Sequence, residues 1–278
     1  MIYARLHGRL GNQMFQYAAA CGLAARLSVP FSIDTRRAVY KGEGELRRVF
    51  DLDWAEPEKL PPSQNERPLA YYLWRAFKTS PKIYRERALA YDPNFETLGD
   101  GTYLHGYWLS EKYFSNVEDE LRKAFVYRYP MSSQNAEMAQ QIAETTSICL
   151  HVRRGDFVDL GVNTFCDQSY YEKGLAAVSE GLKDPTVFVF SDDPQWAKDH
   201  LPLPFKKVVV DFNGPETDYE DQRLMSLCEH NVIANSSFSW WAAWLNKNPE
   251  KRVAGPKKWF VDPKRIDIDI LADGWIRI

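Results

Sequence analysis

The chain has 278 residues, of which 45% are hydrophobic and 26% charged, and a formal net charge of -3. That fits one large or two small globular domains and excludes disordered, collagen-like and low-complexity classes. So small a charge gives no general attraction to nucleic acid, so none is expected as a partner and any anion site must be a local cluster. No stretch approaches the roughly 20 apolar residues of a membrane span, and no basic n-region followed by an apolar segment opens the chain, so a cytoplasmic protein without a transmembrane segment is expected. The basic tract from Lys247 to Arg265 reads as a solvated face and leaves a peripheral membrane contact open. Cys21, Cys149, Cys166 and Cys228 lack metal-type spacing and read as reduced core thiols.

In chain order, Met1 to Leu6 is strand-like. The glycine-punctuated turn HGRLGNQ, His7 to Gln13, then leads into a helix from Met14 to Leu27. The turn lacks GxGxxG, so it is no dinucleotide fingerprint. Asn12 and Gln13, at a helix amino-terminus, either bond a ligand or cap the helix. Val29 to Asp34 is a second strand, whose Asp34 serves chemistry or caps a turn. From 46 to 93 the prolines Pro57, Pro61, Pro62, Pro68, Pro81 and Pro93 predict an irregular insertion, with Tyr71 to Phe77 helical within it. Thr102 to Trp108 is strand-like, and His105, Tyr107 and Trp108 either line a sugar-stacking groove or belong to the core. Ser115 to Phe125 and Ser132 to Thr145 are predicted helices, the first opened by a capping box of Ser115 and Glu118. The domain boundary falls within Tyr127 to Ser133, giving domains 1–130 and 131–278.

The functional centre is SICLHVRRGD, Ser147 to Asp156. A buried-type strand ends there in His151, Arg153, Arg154 and Asp156, and ligands of open α/β sheets collect beyond strand carboxyl ends. Two arginines offer forked donors matched to phosphate and can hold a diphosphate without a metal. Asp156 would neutralise or orient one of them. Helices at Ser169–Leu182, Asp221–Asn231 and Ser236–Leu245 alternate with strands at Thr186–Ser191, Lys207–Val210, Val232–Ala234 and Arg252–Ala254, the rhythm of a parallel sheet. Asp192 and Asp193, at one strand end, either bind a ribose diol or base edge or begin the next helix. Ser236, Ser237 and Phe238 open a helix whose amino-terminus suits a phosphate, with Ser236 as N-cap. The DxD-like stretches at Asp51–Asp53 and Asp267–Asp269 sit in an insertion and a tail, and no catalytic metal is expected.

Five stretches together resemble the α-1,2-fucosyltransferases of glycosyltransferase family 11. They are GRLGNQMFQYA (Gly8–Ala18), LHGYWLSEKYF (Leu104–Phe114), HVRRGDF (His151–Phe157), FSDD (Phe190–Asp193) and LMSLCEHNVIANSSFSWWAAWLN (Leu224–Asn246). Trp108 and Leu109 depart from the Phe or Trp followed by Gln of many relatives. The resemblance implies an α/β fold of GT-B type, two Rossmann-like domains facing across a cleft, with the acceptor side at 1–130 and the nucleotide-sugar side at 131–278. It implies inverting, metal-independent transfer of L-fucose from GDP-fucose to the 2-hydroxyl of a terminal β-galactoside glycan, with no cofactor beyond the donor substrate.

Carried onto this chain, the resemblance gives Arg153, Asp156 and Asn12 catalytic roles. His151, Arg153, Arg154, Asp192, Ser236, Ser237 and Phe238 would bind the donor. Departure of GDP builds charge on the β-phosphate, which preorganised arginines stabilise. Candidates for a general base are His7, Asp34, His105 and Asp156.

Overall fold

The computed structural model describes residues 1–36, 44–154, 166–260 and 269–278. The chain divides into two compact α/β units, the first spanning Met1–Arg128 and the second beginning at Tyr129.

The first unit holds β1 (Ile2–Arg5), α1 (Leu10–Leu27), β2 (Phe31–Asp34), α2 (Gly44–Val49), α3 (Pro68–Ala76), β3 (Lys82–Arg85), β4 (Thr102–His105) and α4 (Glu118–Ala124). Its strands form a parallel sheet in the order β2-β1-β4-β3. α1 begins earlier than its apolar run suggests: Gly8 turns the chain at φ +76°, and the Arg9 carbonyl accepts from both Asn12 N and Gln13 N. The stretch 46–93 is more regular than its prolines suggest, since α3 starts with Pro68 at its first turn, where proline loses no hydrogen bond, and β3 pairs along the sheet edge. β4 stops at His105, short of the expected Trp108, which takes φ +60°. Trp108 is fully buried against Tyr84, Phe95 and Tyr113, so it belongs to the core rather than to a groove. The Ser115–Glu118 capping box does not form: Ser115 lies in a 3-10 turn, Ser115–Val117, and α4 has no side-chain cap.

The second unit runs α5 (Ser133–Ala143), β5 (Ser147–Val152), α6 (Gln168–Ser179), β6 (Thr186–Ser191), α7 (Pro194–His200), β7 (Lys206–Val210), α8 (Asp218–Leu227), β8 (His230–Val232), α9 (Ser237–Leu245), β9 (Val253–Gly255) and β10 (Ile276–Arg277). Its sheet is parallel in the order β10-β9-β8-β5-β6-β7. A sheet clad on both faces needs strands apolar on both faces, and β5 is buried at all six positions. Ile148, Leu150 and Val152 pack with α6 residues such as Leu175 and Val178, whereas Cys149 packs on the other face with Leu224, Met225 and Ala242. All four cysteines are free thiols. Among the described residues no helix is long and apolar enough to cross a membrane.

Candidate active site

The strand order of the second unit reverses at β5, with β6 on one side and β8 on the other. The crevice beyond such a reversal is where doubly wound sheets bind ligands. Val152 ends β5, and Arg153 and Arg154 follow it, half-buried. Beyond β8, Ser236 caps α9, its Oγ accepting from Phe238 N at 3.3 Å.

The two arginines are held by different means. Arg153 Nη1 donates to Ser236 Oγ at 3.2 Å, so a hydroxyl that is only 3% exposed orients a guanidinium as well as capping a helix. Arg154 N donates to Asp192 Oδ1 at 2.8 Å, its Nε lies 3.5 Å from Asp193 Oδ2, and its guanidinium carbon sits 3.8 Å over the Trp196 ring. Asp193 also caps α7 by accepting from Trp196 N at 3.1 Å. Of the two readings of the aspartate pair, the helix start is realised by Asp193, while Asp192 fixes the arginine loop.

His151 is 7% exposed, and its Nδ1 lies 2.8 Å from Ser239 Oγ. Burial first, and then Arg153, lower its pKa to about 3, so the ring is neutral at pH 7. Phe238 lies with its ring centroid 6.1 Å from that of His151, and Ser237 occupies the first position of α9. His151, Arg153, Arg154, Asp192, Ser236, Ser237 and Phe238 thus gather at the carboxyl ends of the central strands β5, β6 and β8. A helix amino-terminus and two fixed guanidinium groups there can take a phosphate or diphosphate. Asp156 lies outside the described residues. Trp196 and Ser239 escaped the sequence reading; a tryptophan three residues beyond the aspartate that caps its helix was the available signal for the first.

In the first unit, Asn12 is half-buried beside Gly8, where an added Cβ would come within 2.6 Å of Asn12 Nδ2. Gln13 is fully buried and structural: its Nε2 donates to Gly8 O and its Oε1 accepts from Glu45 N, both at 2.9 Å. Asp34 is 3% exposed and accepts from Arg36 Nε at 2.9 Å, Arg36 Nη2 at 2.8 Å and Tyr103 OH at 2.6 Å. Burial would raise its pKa, but the bonds from Arg36 and Tyr103 outweigh burial and hold it low. So committed a carboxylate is a poor proton acceptor. His105 is also occupied, by Arg5 Nη1 at 3.0 Å and Tyr71 OH at 2.8 Å. Of the DxD-like carboxylates, Asp51 and Asp53 reach Arg128 and Arg47 at 4.0 and 3.6 Å, and Asp269 accepts from Tyr91 N and Lys112 Nζ. Asp267 lies outside the described residues.

The profile of Glycosyl transferase family 11 matches residues 1–278. The chain belongs to that family. Among its relatives, an α-1,2-colitosyltransferase of Escherichia coli is 29% identical over 291 residues, covering 100% of this chain and 99% of that protein. Galactoside α-(1,2)-fucosyltransferase 1 of Rattus norvegicus is 27% identical over 256 residues, covering 86% of this chain and 61% of that protein. Fucosyltransferase NodZ from Bradyrhizobium superposes with a TM-score of 0.52 at 14% identity, covering 87% of this chain and 91% of NodZ. The R284K mutant of Arabidopsis thaliana FUT1 in complex with GDP gives 0.55 at 12% identity, covering 91% and 69%. The fold is thus the GT-B type of these fucosyltransferases, and the protein is a glycosyltransferase of the family.

Proposed function

We propose that the protein is an inverting, metal-independent α-1,2-fucosyltransferase that moves L-fucose from GDP-fucose to the 2-hydroxyl of a terminal β-galactoside in a glycan. The observation that carries this is the pair Arg153 and Arg154, fixed by Ser236, Asp192 and Trp196 at the crevice of a family 11 chain. Leaving of GDP from the fucosyl carbon puts negative charge on the β-phosphate, and donors already aimed at that charge lower the barrier without reorganisation. The sugar carbon becomes oxocarbenium-like, and the incoming hydroxyl loses its proton late, so a strong base is not demanded. Asn12 assists at the reacting centre, and His151 and Asp192 support the nucleotide. The domain at 131–278 takes the donor and the domain at 1–130 takes the acceptor.

Incubation with GDP-fucose, lactose and EDTA, with linkage analysis of the product, tests this. The expected product is 2'-fucosyllactose. Absence of fucosylation across a panel of β-galactosides would overturn it. A second reading, colitosyl transfer in the same linkage, draws on the colitosyltransferase that matches over its full length. A donor competition between GDP-fucose and GDP-colitose separates the two.

A further inference from the structure

The first unit has a strand reversal of its own. α1 and β2 follow β1 on one side, and β4 pairs with β1 on the other, so this unit's ligand crevice lies beyond the carboxyl ends of β1 and β4. His7 follows β1 and Tyr107 follows β4, and their rings meet edge to face with centroids 4.4 Å apart. Tyr107 is 40% exposed, and His7 is half-buried.

One buried amide decides which nitrogen of His7 carries the proton. Gln16, on α1, is fully buried. Its Oε1 accepts from His7 N at 2.9 Å, which fixes the orientation of the amide, and its Nε2 then faces His7 O at 3.2 Å and His7 Nδ1 at 3.1 Å. An amide nitrogen only donates, so Nδ1 accepts and the neutral ring holds its proton on Nε2. Burial, and next Arg5, keep the ring neutral at pH 7 by lowering its pKa to about 4. Among the described residues, the titratable groups that face it are Arg5 on β1, His105 at the end of β4 and Tyr107 just beyond it, none of them anionic. His105 is set the other way: a guanidinium only donates, so its Nε2 accepts from Arg5 and its Nδ1–H donates to the Tyr71 oxygen.

We propose that His7 is an acceptor-binding donor, whose Nε2–H bonds a hydroxyl oxygen of a pyranose seated at the β1/β4 crevice, and that Gln16 is the positioning residue that fixes its tautomer. The inference rests on the reading of the protein as a transferase with a glycan acceptor. It also assigns His7 away from proton abstraction, because a base needs an unprotonated nitrogen facing the hydroxyl and the only one on this ring is turned to Gln16.

The test is steady-state kinetics of the full chain with GDP-fucose and lactose, alongside lactose binding to the GDP-loaded protein. His7→Leu is expected to raise the lactose KM and weaken lactose binding about tenfold, with a smaller change in kcat. His7→Gln, which keeps an N–H, is expected to recover most of that loss. Gln16→Glu places a carboxylate on Nδ1, so the proton moves there and Nε2 becomes an acceptor in the neutral ring. Protonation of the ring restores Nε2–H, so kcat/KM of this variant should rise as pH falls through a neutral-range ionisation that the wild type lacks. The role of His7 is overturned if His7→Leu leaves lactose KM and binding unchanged, if it collapses kcat alone, or if His7→Gln is as impaired as His7→Leu. A wild type that hydrolyses the donor but neither binds nor fucosylates any β-galactoside overturns the acceptor reading itself, whatever the variants do.

Discussion

Arg153 and Ser236 meet at 3.2 Å across the strand reversal between β5 and β8, although they stand 83 positions apart in the chain. Their bond joins the Arg153 side chain to the N-cap of α9, so the guanidinium and the helix amino-terminus share one geometry. Donors held in this way cost no reorganisation when charge develops on a leaving phosphate.

Arg153→Ala is therefore expected to lower kcat by roughly 10²–10³-fold, with Arg153→Lys intermediate because an ammonium cannot reproduce the fork. Ser236→Ala should lose about 1 kcal/mol of stability through the missing cap and a smaller part of kcat through the freed guanidinium. Single-turnover kinetics with GDP-fucose and thermal melts measure the two effects separately.

Trp196 lies under the Arg154 guanidinium at 3.8 Å. Trp196→Leu removes a cation–π contact worth about 0.5–2 kcal/mol, so GDP should bind about 2- to 30-fold more weakly. Calorimetric titration of GDP into wild type and variant reads this directly.

Gly106 faces Glu86 so closely that an added Cβ would stand 2.4 Å from Glu86 Cβ. Glu86 in turn accepts from Tyr107 N at 2.7 Å and Trp108 N at 2.8 Å, bracing the positive φ of Trp108. Gly106→Ala should displace that carboxylate, cost about 1–3 kcal/mol, and alter the contribution of the buried Trp108 to the emission. Differential scanning calorimetry and fluorescence of the variant are the checks.

His105 and His151 are both nearly buried, and both have pKa values lowered to about 3, by burial first and then by Arg5 and Arg153 respectively. Unfolded imidazoles near pH 6.5 take protons that the folded ones refuse. The stabilising contribution is thus present above pH 6.5 and is lost as pH falls toward 3, at up to about 1.4 kcal/mol per pH unit for each ring. The melting temperature should fall between pH 6.5 and 4.5, and His151→Gln should flatten the slope.

Asp221 acts in the opposite sense. Burial raises its pKa to about 7, against a bond from Asn213 Nδ2 at 2.7 Å that favours the anion. Its contribution is present below pH 4 and lost as pH rises through 7. Asp221→Asn should consequently raise the melting temperature at pH 8 and leave it nearly unchanged near pH 4.

Much of the second unit is legible before folding. Thr186–Ser191 is read to the residue because an unbroken apolar run stands between Pro185 and two aspartates, and a strand buried on both faces needs such a run. Ser236 announces itself as an N-cap by its place before an apolar helix. β3 does not, since four residues at a sheet edge, two exposed and two half-buried, carry neither alternation nor an apolar run. The strand expected over Thr102–Trp108 ends early for a related reason: a positive φ turns Trp108 inward, and nothing in its neighbours signals that turn.

The sequence by itself determined where strands end and which polar side chains stand at those ends, because burial on both faces imposes apolar runs and the chain must become polar where burial stops. Only the tertiary structure decided which of those groups meet. Arg153 finds Ser236, Arg154 finds Trp196 and His7 finds Gln16, and these pairings fix direction, charge and tautomer. They depend on contacts of 3 to 4 Å between different elements, set by how helices pack on the sheet, and residue spacing along the chain carries no record of such distances.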